Sequence, residues 1–318
     1  MFATTNPSES AINSAAEALI GGALVAIPTE TVYGLAADAE NEAAVARIYS
    51  VKGRPQDHPV IVHIGSKDQL SKWSINIPDY ALKLAKEYWP GPMTLILERS
   101  KLAKDFITGG QETVGLRVPA HLMTLALLEE FHKLGGNGIA APSANRFGAV
   151  SPTNAEAVQS ELGIFLDQSR DFIIDGGQSL VGVESTIIDC TGEIPIILRP
   201  GQISQEMISA LTGLASATRS DFKIRVSGSL DQHYSPKAKI LLGGKVSLGD
   251  GFIALNSLDT PDGAVRLASP LTLEDFARTL YSALREGDKR GIKQIVVIPP
   301  EGDGLAIAIR DRLTRAAR

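Results

Sequence analysis

Apolar runs in this chain are short, and most of them stop at a polar segment rich in Gly, Ser or Thr. Ala23–Ile27 runs into Pro28-Thr29-Glu30-Thr31-Val32-Tyr33-Gly34, and Ile139–Ala141 into Pro142-Ser143-Ala144-Asn145. Runs this short fit strands, since a helix needs about ten residues or more. Stretches of helical spacing lie between them. Ser8–Ile20 puts Ile12, Ala15, Ala16 and Leu19 on one face, and Gly21-Gly22 stop it. Asn41 is placed to cap a second helix that reaches about Val51. Pro78–Tyr88 and His121–Leu134 read as further helices, the latter ended by Gly135-Gly136. Strands are expected at Pro59–Ile64, Thr94–Leu97, Val114–Val118, Phe172–Ile174 and Thr186–Asp189. The last should pair with Ile194–Leu198 across the turn Thr191-Gly192-Glu193. Alternating strands and helices with hairpins among them predict an α/β domain on a mixed sheet.

At 318 residues the chain is too long for most single cores. Its composition shifts after Leu214, where a polar stretch without apolar periodicity begins. The expected division is a catalytic domain at 1–213, a linker at 214–237 and a small second domain at 238–318. In the second unit, Lys239–Leu242, Phe252–Leu255 and Ile292–Ile298 read as strands. Thr272–Arg285 reads as a helix with Leu273, Phe276, Leu280 and Leu284 on one face, and Gly304–Arg315 as a closing helix. A net charge of −5 argues against a general nucleic-acid coat, which needs a basic face. The one cysteine, Cys190, allows no internal disulfide. The opening MFATTNPSESAINSA has no basic region ahead of an apolar core, and no apolar run approaches membrane-spanning length. The expected location is the cytoplasm, with no membrane partner.

Several chemistries are excluded by pattern. There is no P-loop, no Cys/His cluster at zinc spacing and no G-x-S-x-G elbow. Five polar segments at strand or helix ends remain. Lys52-Gly53-Arg54-Pro55 places two cations on a turn, which reads either as a helix cap or as an anion site. The segment 28–34 offers three hydroxyls within five residues. Arg117 sits inside an apolar strand pattern and needs an anionic partner, an internal Asp or Glu or, as the favoured reading, a ligand carboxylate. Ala141–Asn145, continuing to Ser151, lets a ligand approach the backbone closely. Gly182–Thr186 faces Arg199-Pro200-Gly201 at the end of a partner strand. Strand-end loops converge in α/β folds, so Lys52, Arg54, Arg117 and Arg199 would line one concave cationic cleft suited to a small anion such as ATP.

The segments PTETVYGLAADA, KGRPQDHPVIVHI, WPGPMTLIL, VGLRVPAH, APSANRFGAVSPT, GVESTIID and ILRPGQI resemble, in order, the YrdC-type threonylcarbamoyl-AMP synthase family. The tail, from SLDQHYSPKAKI on, is similar to the two-domain form with a small Rossmann-like C-terminal domain. The resemblance implies a YrdC-like twisted mixed sheet. The implied reaction converts L-threonine, bicarbonate and ATP to threonylcarbamoyl-AMP, pyrophosphate and water, with Mg2+ arriving on ATP and no dedicated metal site. The product would feed a downstream tRNA threonylcarbamoyl-transferase complex, so tRNA is at most an indirect partner. It further implies that Thr31, His63, Arg117, Ser185 and the backbone of Ala141 hold threonine. Arg54, His58, Thr113, Ser143, Ser151 and Arg199 would hold ATP, with Lys52 beside the phosphates and Tyr234 closing over the nucleotide. His58 stands where the family often has Asn, and Ser235 where it usually has Ala. The alternative from another class is a double-stranded RNA-binding module using the same cleft.

Overall fold

In the computed structural model, which describes residues 9–218, 224–228 and 235–317, the short apolar runs pair into two sheets. Among the described residues the larger sheet has ten strands. Their order across it is Ala217–Thr218, Ile196–Arg199, Thr186–Asp189, Met93–Glu98, Thr113–Arg117, Ile61–His63, Ile139–Ala140, Gly34–Asp38, Val25–Ile27 and Phe172–Ile173. The sheet is mixed, as expected. Ile61–His63 runs parallel to Thr113–Arg117 and antiparallel to Ile139–Ala140. The anticipated hairpin is present, with Ile188 opposite Ile197.

Gly34–Asp38 was not anticipated as a strand. Its Gly-Leu-Ala-Ala run has weak strand preference. Pairing with Val25–Ile27 on one side and Ile139–Ala140 on the other supplies what local propensity lacks. Asn41 does cap helix Glu42–Lys52, its Oδ1 accepting from the Ala44 amide at 3.1 Å. Gly53 ends that helix at φ 64°, a left-handed conformation that suits glycine. Helix Glu9–Ile20 buries Ile12, Ala15, Ala16 and Leu19 in a cluster with Leu127, Leu128 and Phe131 of helix Leu122–Lys133. Burying a side chain such as Leu19 contributes about 1.5–3 kcal/mol.

The second sheet is wholly parallel, in the order Lys239–Leu242, Gln294–Val297, Gly251–Ile253 and Val265–Ala268. Helices Leu273–Lys289 and Leu305–Ala316 pack with it in one hydrophobic cluster. Thr272 caps the first of these, its hydroxyl accepting from the Asp275 amide at 3.1 Å. The stretch expected to be a linker begins inside the larger sheet, since Ala217–Thr218 pairs with Ile196–Arg199. Among the described residues no helix is long and apolar enough to cross a membrane.

Candidate active site

The five polar segments converge. One pocket is lined by Thr29, Thr31, Val32, Tyr33, Gly34, Arg54, Ile61, His63, Arg117, Ala141, Pro142, Ser143, Glu184, Ser185, Arg199, Ser227 and Gly228. Strand register gives it two ends. His63 lies opposite Arg117 in a parallel pair, so these side chains share one end. Pro59 and Thr113, four residues back along the same two chains, mark the other end.

At the first end Arg117 is only 4% exposed. Its Nη2 donates to Glu30 Oε1 at 2.7 Å and to Thr31 Oγ1 at 2.9 Å, and its Nε to the Gly91 carbonyl at 3.3 Å. Arg117 thus has an internal carboxylate partner, one of the two kinds of partner that the sequence left open. A buried guanidinium cannot stay unpaired, and Glu30 lies in the adjacent threonine-rich segment. Glu30 is itself fixed, its Oε2 accepting from the Ala120 amide at 3.0 Å. The hydroxyls of Thr29 and Thr31 are 2.8 Å apart, and Thr29 also donates to the Val32 carbonyl at 2.6 Å. This side chain-to-backbone turn holds Thr31 against Arg117. The Ser185 hydroxyl is 2.8 Å from that of Thr94. The Ala141 amide donates to the Ile61 carbonyl at 3.0 Å, which sets the Ala141–Ser143 segment against the sheet.

His63 is 3% exposed, and its Nδ1 is buried with no hydrogen-bond partner among the described residues. Burial, helped by the nearby charge of Arg117, lowers its pKa from 6.5 to about 3. His63 is thus neutral at ordinary pH and is a hydrogen-bonding group, not a proton carrier. Between pH 6.5 and 3 the unfolded chain binds a proton that the native His63 does not, so stability falls as pH falls through that window. We expect His63→Gln to remove this slope. In urea unfolding at pH 7 and pH 4.5, the unmodified protein should lose roughly 2–3 kcal/mol more than the variant.

At the second end Arg54 donates from Nη2 to the Pro59 carbonyl at 2.8 Å and to Ser227 Oγ at 3.2 Å. Its guanidinium lies over Phe147, 5.8 Å from the ring centre, and His58 meets the same ring edge-on. Burial, then Arg54, lowers the His58 pKa. Arg199 grips the Ser185 carbonyl with Nε at 3.1 Å and Nη2 at 3.0 Å, and Nη1 donates to the Ser227 carbonyl at 2.8 Å.

Eight of the anticipated residues meet in the pocket wall, namely Thr31, His63, Arg117, Ala141, Ser185, Arg54, Ser143 and Arg199. His58 and Thr113 are half-buried beside its second end and do not line it. Two of the anticipated residues, Lys52 and Ser151, stand back from the pocket wall. Lys52 is 2% exposed and donates to the carbonyls of Ser143 and Asn145, so it stands behind the 143–145 turn instead of at the cleft surface. An ammonium with three donors and no free carboxylate nearby is satisfied by backbone oxygens. Burial and the Arg54 charge push its pKa down. Ser151 is fully buried and donates to Glu184 Oε1 at 2.6 Å. Tyr234 lies outside the described residues, and its neighbour Ser235 donates its amide to the Gly148 carbonyl at 3.0 Å.

Sequence reasoning missed Glu30, Glu184 and Ser227 as individual positions. The two acids lie within segments it marked, and Arg117 in its strand called for an anionic partner. Ser227 has no periodic or motif signal. Burial opposes the charge of Glu184, but Arg312, Arg199 and the Ser151 hydroxyl outweigh it and hold its pKa near 2. Among the described residues no cluster of three or more His, Cys, Asp or Glu is arranged to hold a metal ion.

Comparison with known proteins places the chain in a family. A family profile described as telomere recombination matches residues 17–201, and one described as threonylcarbamoyl-AMP synthase, C-terminal domain, matches 203–318. A threonylcarbamoyl-AMP synthase of Pyrococcus abyssi is 39% identical, over 93% of this chain and 91% of that one. The Bacillus subtilis protein of the same name is 38% identical, over 96% and 92%. The crystal structure of P. abyssi Sua5 complexed with L-threonine superposes with a TM-score of 0.89 at 37% identity, covering 100% of this chain and 97% of that one. The chain belongs to the threonylcarbamoyl-AMP synthase family, in its two-domain form.

Proposed function

We propose that this enzyme joins L-threonine, bicarbonate and ATP into threonylcarbamoyl-AMP, releasing pyrophosphate and water. The observation that carries the reading is the two-ended pocket, with hydroxyls, a neutral imidazole and Arg117 at one end and Arg54 and Arg199 toward the other. Threonine is assigned to the first end. Arg117 and the Thr31 hydroxyl suit its carboxylate, and a neutral His63 accepts a hydrogen bond without repelling its ammonium. ATP is assigned to the second end, where Arg54, Ser143 and Arg199 suit phosphates, with His58 and Thr113 beside them.

The chemistry then needs no side-chain nucleophile. The threonine amine adds to bicarbonate with loss of water, or to CO2 with loss of a proton, to give a carbamate. A carbamate oxygen attacks the α-phosphorus, a P–O bond forms, and the bond to pyrophosphate breaks. The protein holds two anions in contact and offsets their repulsion with recessed arginines. Mg2+ arrives with the nucleotide substrate, because Glu30 and Glu184, the carboxylates at this pocket, are already paired with Arg117 and Arg312. We assign the product to a downstream complex that modifies tRNA in the cytoplasm.

The duplex-RNA reading is less favoured. Arg54, Arg117 and Arg199 are each under 8% exposed, too recessed to track a phosphate backbone. Mass spectrometry of a mixture of protein, MgATP, bicarbonate and threonine should give threonylcarbamoyl-AMP. AMP formation that ignores threonine would overturn the assignment. Thr31→Val should raise the KM for threonine about tenfold and leave that for ATP within about twofold, measured by pyrophosphate release.

A further inference from the structure

Val32, Val150 and Val183 come from three different pocket segments, yet all three are buried in one cluster with Phe276, Leu280 and Ile309 of the second unit. Behind them sits Glu184, whose carboxylate is shared between the units. Its Oε1 accepts from Ser151 at 2.6 Å. Its Oε2 accepts from the Tyr281 hydroxyl at 2.9 Å and from Arg312 Nε at 2.7 Å. Arg312 is wholly buried, and its Nη2 also donates to the Pro200 carbonyl at 3.0 Å. Glu184 and Pro200 are the chain neighbours of Ser185 and Arg199, which line the pocket. One guanidinium from the second unit therefore ties the Glu184 carboxylate to the Pro200 carbonyl, next to two residues that line the pocket.

The apolar cluster alone accounts for docking. A buried ion pair adds little net stability, because desolvation offsets the attraction. What a rigid guanidinium fork does supply is fixed geometry between the groups it bridges. We propose that Arg312 and Tyr281 are positioning residues of the reaction, acting through Glu184 and Pro200 to hold Ser185 and Arg199 where both substrates bind. The second unit is in this sense part of the frame of the active site. The inference rests on the functional reading above.

The test compares Arg312→Met, Arg312→Lys and Tyr281→Phe with Arg310→Met. Arg310 lies on the same helix and donates to the Pro300 and Gly302 carbonyls of its own unit. Initial rates of pyrophosphate release give KM and kcat for ATP and threonine, calorimetry gives Kd for each, and thermal unfolding gives the folded fraction. Arg312→Met should raise both KM values about tenfold or more. Arg312→Lys, which keeps the charge without the fork, should recover part of the loss. Tyr281→Phe should raise both KM values about threefold, and Arg310→Met neither. A purely structural role lowers the active fraction, and so kcat, and leaves both KM values unchanged; that result would overturn the proposal. If Arg312→Met does not fold, unchanged KM values in Tyr281→Phe overturn it alone. If the unmodified protein binds ATP and threonine without turnover, the Kd values decide. If it binds neither, the functional reading itself fails and the proposal falls with it.

Discussion

Arg117→Met is expected to abolish threonine-dependent pyrophosphate release, with kcat/KM for threonine falling by about a thousandfold. The same guanidinium pairs with Glu30 and Thr31, so its loss removes a positive charge from the pocket and leaves a buried carboxylate uncompensated. Breaking a buried pair from one side costs about 3–5 kcal/mol, a large part of the ~5–15 kcal/mol that keeps a domain folded. Loss of activity by this variant alone is therefore ambiguous. Arg117→Lys separates the effects. Lysine keeps the charge beside Glu30 but lacks the fork, so the protein should stay folded while kcat/KM for threonine drops about a hundredfold, or roughly 2.7 kcal/mol. Near-normal threonine kinetics in a folded Arg117→Lys protein would show that the fork does not recognise substrate.

The second large effect concerns Gly182. Its φ is +80°, and an added Cβ would lie 2.3 Å from the Cα of Arg278 and 2.5 Å from the Ala277 carbonyl oxygen. Both are backbone atoms of helix Leu273–Lys289, so no side-chain rotation relieves the clash. Gly182→Ala should thus push the second unit off the pocket segments at Val183 and Glu184. Positive-φ strain contributes about 1–3 kcal/mol and overpacking a further 1–3 kcal/mol or so. The expected outcome is a melting temperature lower by roughly 6–12 °C, with higher KM values for both substrates. An unchanged melting temperature would mean that the helix does not depend on so close an approach.

Much of the first unit was legible because its signals are local. Asn41 and Gly53 bracket a helix by capping geometry alone, and the Thr186–Asp189 hairpin follows from two apolar runs about a turn. Gly34–Asp38 was not legible, because its pairing comes from strands that arrive from distant parts of the chain. The same limit applied to side chains. Arginine in an apolar strand announced a buried anion, but not whether Glu30 or a ligand supplies it. Lys52-Gly53-Arg54 looked like one basic feature. In the fold Arg54 lines the pocket while Lys52, two positions away, holds the Ser143 and Asn145 carbonyls from behind.

The sequence by itself determined the α/β class, the ordered polar segments and the family to which they belong, since these depend on neighbouring residues and their periodicity. Only the tertiary structure decided which of the marked residues share a pocket, that Glu30 pairs with Arg117, and that Arg312 reaches Glu184 across the domain boundary. The physical reason is that burial and charge pairing are properties of three-dimensional neighbourhoods. Glu30 and Arg117 are 87 residues apart in the chain, and Glu184 and Arg312 are 128 apart. No local pattern encodes those distances.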